Sequence, residues 1–424
     1  MVQDVSTQSN QPVERNILHR PIPKSFQSMV KPIGSICNLN CSYCYYLEKE
    51  KLYKNYSNHR MDDKLLEIFI RQQIESQQIP KISFVWQGGE PSLLGIDYFE
   101  KVVKLQLKYG EGKEIINSFQ TNGTNITDGW CRFFKDNNFL VGLSIDGPEK
   151  LHNRFRKYKN GSGSFTRILN SIKSLKYYGV EFNTLTVVNQ YNVDFPLEIY
   201  DFLKEQGSRF IQFIPLVEVI SKQSTQDGLY LLSPEDIGES EIAPWSVESK
   251  KYGDFLIAIF DQWVKYDVGD YFVPTFDATL ANWIGVTSGM CAYNETCGNA
   301  PVIEFNGDIY PCDHYVYPSN LIGNLKNMSL LESMKDLKMQ QFGLAKKATL
   351  PEQCRKCRYH FACHGECPKN RIALTQKGEK GLNYFCEGLY KYFSHVTPYM
   401  EFMSREIRAG RSVKDVRFFT PKQF

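Results

Sequence analysis

Three cysteines stand in one short loop, Cys37-Asn38-Leu39-Asn40-Cys41-Ser42-Tyr43-Cys44. Eight more, Cys291, Cys297, Cys312, Cys354, Cys357, Cys363, Cys367 and Cys386, crowd the last third of the chain, and Cys131 stands alone. Thiolates are soft ligands that suit zinc and iron–sulfur clusters alike. Eight suffice to close two four-coordinate sites, and closed sites are structural or carry electrons. Three leave a site one ligand short, and an open position admits substrate. The C-x3-C-x2-C spacing lets three thiolates hold three irons of a four-iron cluster and leave the fourth exposed. Zinc would need a fourth ligand, and none is near in the sequence. Cys131, within a helical pattern, reads as a small core residue.

The elements that must position these residues follow a regular rhythm. Apolar or β-branched runs near 27–33, 81–86, 115–120, 140–145, 182–188 and 209–214 read as strands. Amphipathic stretches lie between them: 62–78 with Leu65, Leu66, Phe69, Ile70 and Ile74, then 128–138 with Trp130, Phe133 and Phe134, then 165–178. Six strands alternating with helices imply a parallel α/β sheet. A curved sheet of six βα units, a partial (β/α)6 barrel, fits. Runs such as Ile82-Ser83-Phe84-Val85-Trp86 read as strands covered on both faces. In such folds the chemistry sits at the C-terminal strand ends. There the sequence places the Cys loop, Gln87-Gly88-Gly89-Glu90-Pro91, Thr121-Asn122-Gly123-Thr124, Ser144 with Asp146-Gly147-Pro148, Val188-Asn189, and Pro215-Leu216. The expected organisation is a flexible arm over 1–24, the barrel over 25–250, a helical linker over 251–285, a Cys-rich domain over 286–390, and a terminal helix and tail over 391–424.

Composition narrows the class. The 424 residues carry 50 Lys and Arg against 47 Asp and Glu, a net charge of +3, which argues against a nucleic-acid or membrane-surface partner. No apolar stretch is long enough to span a membrane, and the first residues lack the apolar core of a signal peptide. The expected compartment is the reducing cytoplasm, where clustered Cys bind metal rather than pair as disulfides.

The Cys loop after the first strand, with Tyr43 before the last Cys and Gly88-Gly89-Glu90-Pro91 after the second strand, resembles the radical S-adenosylmethionine (SAM) enzymes. The resemblance implies that the open iron chelates SAM, whose cleavage yields a 5′-deoxyadenosyl radical. It also implies roles for matched residues. Tyr43 and Leu216 would lie against the adenine. Gly88 would approach the amino group, and Ser144 would bond the ribose. Arg156 would pair with the carboxylate, with Arg154 competing for that task. The C-terminal order, with Gly307-x4-Cys312 and then Cys354-x2-Cys357-x5-Cys363-x3-Cys367 and Cys386, resembles the SPASM-type extension and its two auxiliary four-iron clusters. By that resemblance Cys291, Cys297, Cys312 and Cys367 hold the nearer cluster, and Cys354, Cys357, Cys363 and Cys386 the farther one. His364 then reads as a turn residue, since eight Cys already fill two sites. Taken alone, the Cys354-x2-Cys357 segment would also fit a zinc ribbon.

Over about residues 27–386 the sequence resembles the anaerobic sulfatase-maturating enzymes. The segments Cys44-Tyr45-Tyr46-Leu47-Glu48-Lys49, Gln120-Thr121-Asn122-Gly123-Thr124, Ser144-Ile145-Asp146-Gly147-Pro148, Gln212-Phe213 and Tyr310-Pro311-Cys312-Asp313-His314-Tyr315 carry the likeness. The family oxidises a Cys or Ser of a sulfatase to Cα-formylglycine. The resemblance makes Asp313 the general base, with His314 and Tyr315 weaker candidates. It implies three [4Fe–4S] clusters, SAM, a sulfatase polypeptide as substrate, and a reductant such as flavodoxin or ferredoxin. Residues 217–250 and Phe276-Asp277 are expected to line the peptide groove. The alternatives are a radical maturase of another ribosomal peptide, forming thioethers or epimerising residues, and a metal-stabilised binding module without radical chemistry.

Overall fold

A computed structural model of the chain describes residues 25–233 and 240–421. The expected arm over 1–24 lies outside the described residues. Six parallel strands form the frame: β1 (Met29–Lys31), β2 (Lys81–Trp86), β3 (Glu114–Thr121), β4 (Phe139–Ser144), β5 (Phe182–Val188) and β6 (Ile211–Pro215). Helices α1 (Asp63–Glu75), α2 (Ile96–Tyr109), α3 (Asp128–Asp136), α4 (Glu149–Phe155), α5 (Phe165–Tyr177) and α6 (Pro196–Glu205) connect them. The partial (β/α)6 barrel is therefore the architecture.

Local chemistry sets the boundaries of these helices. The Asp62 carboxylate caps α1 by accepting from the Leu65 N–H at 2.8 Å, and Thr127 caps α3. The inward faces of α1, α2 and α3 meet the sheet through an aromatic core of Phe69, Phe84, Trp86, Phe99, Phe119, Trp130 and Phe134, all buried. Inside it the Trp86 indole N–H donates to Asn117 Oδ1 at 2.8 Å, and Asn117 exchanges hydrogen bonds with Gln106. The buried polar groups are thus paired.

Burial along the strands alternates with period two. In β4, Phe139, Val141 and Leu143 are buried while Leu140, Gly142 and Ser144 are half-exposed, and β2 and β3 repeat the pattern. The expectation of strands covered on both faces is therefore corrected. Helices cover one face, and the other lines an incomplete barrel, which leaves an interior in place of a second packed layer.

After β6 the chain forms a small hairpin, β7 (Val219–Ser221) with β8 (Ser240–Ile242), then α7 (Ser249–Gln262) and α8 (Pro274–Ile284). Next come β9 (Val302–Glu304), β10 (Asp308–Tyr310) and β11 (Gly323–Asn324). Nothing in the local sequence pattern signals that these extend the barrel sheet. They do: the nine-stranded order is β11-β10-β9-β1-β2-β3-β4-β5-β6, and β9 runs parallel to β1 with Met29 opposite Val302 and Lys31 opposite Glu304. The Cys-rich section follows through α9 (Leu330–Lys335), α10 (Leu337–Ala348), α11 (Glu352–Arg355), α12 (His360–Cys363) and the hairpin of β12 (Ala373–Leu374) with β13 (Lys380–Leu382). It ends in α13 (Cys386–Arg408), an unbroken helix across the boundary expected at 390. Helix α13 packs on α7 at a very close approach. A Cβ on Gly388 would stand 1.9 Å from the Ser249 carbonyl oxygen, so this crossing requires glycine. The segment expected as a linker is thus a packed support for the Cys-rich section. Among the described residues, no helix is long and apolar enough to cross a membrane.

Two expectations near α8 part company. Phe276 is fully buried against Phe260, Trp263 and Tyr392, so it lines no groove; an aromatic on an apolar helix face packs into the core. The neighbouring Asp277 carboxyl is pushed up from 3.8 to about 7 by burial. A carboxyl with a raised native value holds a proton that the unfolded chain releases. Its contribution to stability is therefore present below about pH 4 and lost as the pH rises towards 7. Asp277→Asn should match the parent in anaerobic urea unfolding at about pH 4 and exceed it by on the order of 2 kcal/mol at about pH 8. Equal midpoints at both pH values would refute this.

Candidate active site around the cysteine loop

The Cys loop leaves β1 and is gripped by the turns after β2 and β3. Gly89 donates its N–H to the Gly34 carbonyl at 2.6 Å, and Glu90 donates to that of Ile36 at 2.9 Å. A Cβ on Gly89 would stand 2.0 Å from the Ile36 oxygen, and Gly88 has a φ of +145°. The glycine pair is thus required by backbone approach. Gly88, expected near the SAM amino group, sits against Gly34 and Ile33. The buried Glu90 carboxylate accepts from Thr121 Oγ1 at 2.8 Å, Asn122 N at 2.7 Å and Ser92 N at 3.0 Å. Asn122 Nδ2 in turn lies 3.6 Å from Cys37 Sγ and 2.8 Å from Asn38 Oδ1. One carboxylate therefore joins two strand-end turns to the first cysteine.

On the other side of the loop, Tyr43 is buried with Phe155 and Leu216, and Cys41, Val187 and Trp245 pack around them. The two residues expected at the adenine are thus together. The Tyr43 hydroxyl donates to Asp146 Oδ2 at 2.5 Å. Arg156 was expected to offer its fork to the SAM carboxylate. In the structure its Nη2 donates to Asp146 Oδ1 at 3.1 Å and its Nε lies 3.0 Å from Oδ2. That edge of the fork is held by a carboxylate of the chain itself, because Asp146 is fully buried and needs a cation. Arg154 instead stacks over Tyr191 at 4.3 Å. Ser144 Oγ accepts from Gln120 Nε2 at 3.1 Å on the open face of the barrel. Beside the loop lies a cavity of about 370 Å³ lined by Cys41, Cys44, Ile220, Leu231 and Trp245, among others. Part of the 217–250 excursion therefore does face the cysteines.

All twelve thiols are free of disulfides, and Cys131 is a core residue of α3. Burial pushes Cys37 up to about 11 and Cys41 up to about 12, with neighbouring thiols and the Glu90 and Asp146 carboxylates acting in the same direction, and burial also raises Cys44 against the opposing pull of backbone N–H groups, Arg156 and Lys31. Such thiols ionise only when a cation is bound among them. Among the described residues, no three His, Cys, Asp or Glu side chains converge as a single metal ion would require. The sets fit a polynuclear iron–sulfur core, which spaces its own ligands. The C-terminal thiols sort into two groups by the charges they feel. Cys312 feels Cys367 and Cys291, and Cys367 feels Cys291 and Cys297. Cys363 feels Cys386 and Cys354, and Cys386 feels Cys354 and Cys357. Each group falls within one of the foursomes that the resemblance to SPASM-type enzymes implies. His364 takes a left-handed conformation that ends α12, a turn residue as expected.

Asp313 joins the two regions. Its Oδ2 accepts from the Tyr45 hydroxyl at 2.6 Å, and its Oδ1 lies 3.6 Å from Cys312 Sγ. Tyr45 directly follows Cys44. Although burial opposes ionisation, the nearby His314 and Lys31 hold the Asp313 carboxyl well below the usual range. The His314 ring lies tilted against that of Tyr45 with centroids 4.8 Å apart, and Tyr315 is buried against Phe342.

The comparisons with known proteins decide the family. Residues 32–203 match the Radical SAM superfamily, and residues 294–358 match SPASM, an iron–sulfur cluster-binding domain. A serine-type anaerobic sulfatase-maturating enzyme of Bacteroides thetaiotaomicron is 49% identical over 92% of this chain and 94% of its own. The chain belongs to the anaerobic sulfatase-maturating enzymes. A cysteine-type member from Clostridium novyi is 34% identical, covering 87% of this chain and 95% of its own. A solved structure described as native anSMEcpe with bound AdoMet and Cp18Cys peptide superposes with a TM-score of 0.78 at 31% identity, over 90% of this chain and 99% of that one.

In this sulfatase-maturating enzyme, sequence reading missed the charged residues that brace the site. Lys31 and Glu304 end β1 and β9, Asp146 stands just past β4, and Glu90 follows the glycine turn after β2; a charge at or near the end of a buried strand needs a partner, and that is the available signal. Lys31 stands over the Tyr46 ring at 3.5 Å, and the Tyr46 hydroxyl donates to Glu304. Burial pushes the Glu304 carboxyl up to about 7.

The Glu90 brace is testable. An amide cannot accept from three donors with both of its heavy atoms. Glu90→Gln should cost about 2 kcal/mol and lower iron incorporation at the Cys37 loop, read as lost absorbance after anaerobic reconstitution. A variant that loads iron as the parent does would contradict the assignment.

Proposed function

We infer that the chain oxidises a Cys or Ser side chain of a sulfatase polypeptide to Cα-formylglycine. The observation that carries this reading is the Asp313 carboxylate, held by Tyr45 between the Cys loop and the first C-terminal cysteine set. Cys37, Cys41 and Cys44 would hold a cluster with one open iron for SAM, and the two C-terminal foursomes would hold one cluster each. The bound groups supply a hydrogen-abstracting 5′-deoxyadenosyl radical and a destination for the electron that the substrate loses.

The chain's own residues do the rest. Tyr43 and Leu216 offer an apolar wall for the adenine, and the Asp146–Arg156 pair holds Tyr43 in place. Ser144 and Gln120 present polar atoms to the barrel interior for the ribose. Asp313 takes the thiol or hydroxyl proton as the Cβ hydrogen leaves, and Tyr45 keeps that carboxylate aimed. With a Cys target, the two-electron oxidation gives a thioaldehyde, and water replaces sulfur to leave the aldehyde and hydrogen sulfide. With a Ser target, the aldehyde forms directly. The relatives include both serine-type and cysteine-type enzymes, and both targets give up their proton to the same kind of base. A reducing, oxygen-poor cytoplasm and a low-potential donor such as flavodoxin or ferredoxin suit an exposed cluster.

An anaerobic assay with SAM, reductant and a sulfatase peptide tests the reading by mass spectrometry. The product should be about 18 Da lighter from Cys or about 2 Da lighter from Ser. Asp313→Asn should lose at least about a hundredfold in peptide turnover while still cleaving SAM. Unchanged peptide beside abundant 5′-deoxyadenosine in the parent enzyme would remove the sulfatase reading. Iron analysis should give about twelve irons per chain, and about eight after Cys37, Cys41 and Cys44 are all replaced by Ala. A count near four in the parent would contradict the two C-terminal clusters.

A further inference from the structure

Glu48 sits in the short helical turn Leu47–Tyr53 that follows the Cys loop. Its Oε2 accepts two backbone N–H groups from far along the chain, those of Tyr230 at 2.6 Å and Leu231 at 3.3 Å. Both belong to a strap, residues 219–232, that folds on itself. Ile220 pairs with Leu231, Ser221 N donates to the Tyr230 carbonyl at 2.9 Å, and Leu232 N donates to that of Val219 at 3.0 Å. Lys51 reinforces the contact, 3.8 Å from Glu48 Oε1 and 5.1 Å from the Tyr230 ring centroid.

The strap and the Cys loop enclose the cavity of about 370 Å³ between them, with Glu48, Tyr230 and Leu231 in its wall beside Cys41 and Cys44. Trp245 also lines it, and its buried indole N–H has no acceptor among the described residues. An extended peptide carries a backbone carbonyl that would satisfy such a donor. Charge-assisted hydrogen bonds from two adjacent amide N–H groups to one carboxylate fix a backbone segment more firmly than neutral contacts do. The width of the cavity, and the distance of its wall from the thiols, thus depend on where Glu48 holds the strap.

We propose that Glu48 is a positioning residue that latches the 219–232 strap to the Cys loop and so fixes the wall against which the substrate peptide lies. The proposal rests on the sulfatase-maturase reading for the identity of that peptide, though the latch itself does not. It assigns Glu48 no contact with the reacting atoms. Its loss would let the strap part from the loop and leave the target side chain poorly aligned. Radicals would then be spent without product.

Two measurements on the full chain test it. Hydrogen exchange of the peptide containing Tyr230 and Leu231 should speed up about tenfold in Glu48→Ala. Glu48→Gln, which keeps one acceptor oxygen, should fall between that variant and the parent. In turnover with the sulfatase peptide, Glu48→Ala should raise KM for the peptide about tenfold and raise the ratio of 5′-deoxyadenosine to aldehyde, with Glu48→Gln again intermediate. Exchange equal to the parent in both variants would overturn the latch. Faster exchange with an unchanged KM and an unchanged product ratio would overturn the positioning role. If the parent leaves the peptide unconverted, the sulfatase reading fails, while the exchange measurement still decides the latch.

Discussion

Strand β1 is hydrogen-bonded along both edges, and the site depends on that. On one side Met29 and Val30 pair with Val85 and Trp86 of β2. On the other, residues 29–31 pair with Val302–Glu304 of β9. A three-residue strand is too short to hold a loop by itself. Flanked on both edges, it becomes the shared rail of two metal-binding regions: the Cys loop leaves its C-terminal end, and the hairpin that ends near Cys312 is built on its far edge. The two regions therefore have a fixed spacing set by backbone hydrogen bonds, and no flexible linker intervenes between β1 and β9. Helix α13 closes the arrangement from behind, starting at Cys386 and returning against α7.

That spacing brings charges into the interior, which is costly unless each finds a partner. The structure answers with small mixed groups. Lys31 and Glu304 sit opposite one another in register, with Tyr46 between them as both ring and donor. Asp146 is balanced by Arg156 and Tyr43. Lys369 bridges to Glu218 at 2.8 Å and ties the segment after Cys367 to the segment after β6. Asp313 belongs to the same pattern, but its neighbours include Cys312 and the residue after Cys44. This is what turns a structural charge into a candidate base.

Much of this arrangement was legible in the sequence, and the exceptions share a cause. The six barrel strands showed because each is a run of apolar and β-branched residues between turn signals, and β2 and β5 match the expected bounds to the residue. The clustering of the cysteines is written directly in the chain, whereas their division into foursomes comes from the resemblance to the SPASM-type enzymes and not from spacing. Strands β9–β11 did not show. Val302–Glu304 is buried at every position, so it carries no alternation, and its partner lies some 270 positions earlier. Arg156 was read as free to meet a ligand because nothing local reveals that Asp146, on a different element, turns towards it. Phe276 misled for the opposite reason: a residue near an expected groove was in fact on the apolar face of its helix. Pairings made by tertiary structure are what a single sequence withholds.

In the proposed reaction, a radical generated at the Cys37 loop removes hydrogen from the Cβ of the target residue while Asp313 receives the heteroatom proton. The most direct measurement uses a sulfatase peptide carrying two deuteriums on that Cβ, turned over anaerobically with unlabelled SAM. One deuterium should appear in the 5′-deoxyadenosine and one should be retained on the aldehyde carbon. Aldehyde formed alongside deoxyadenosine that carries no deuterium would contradict this reaction.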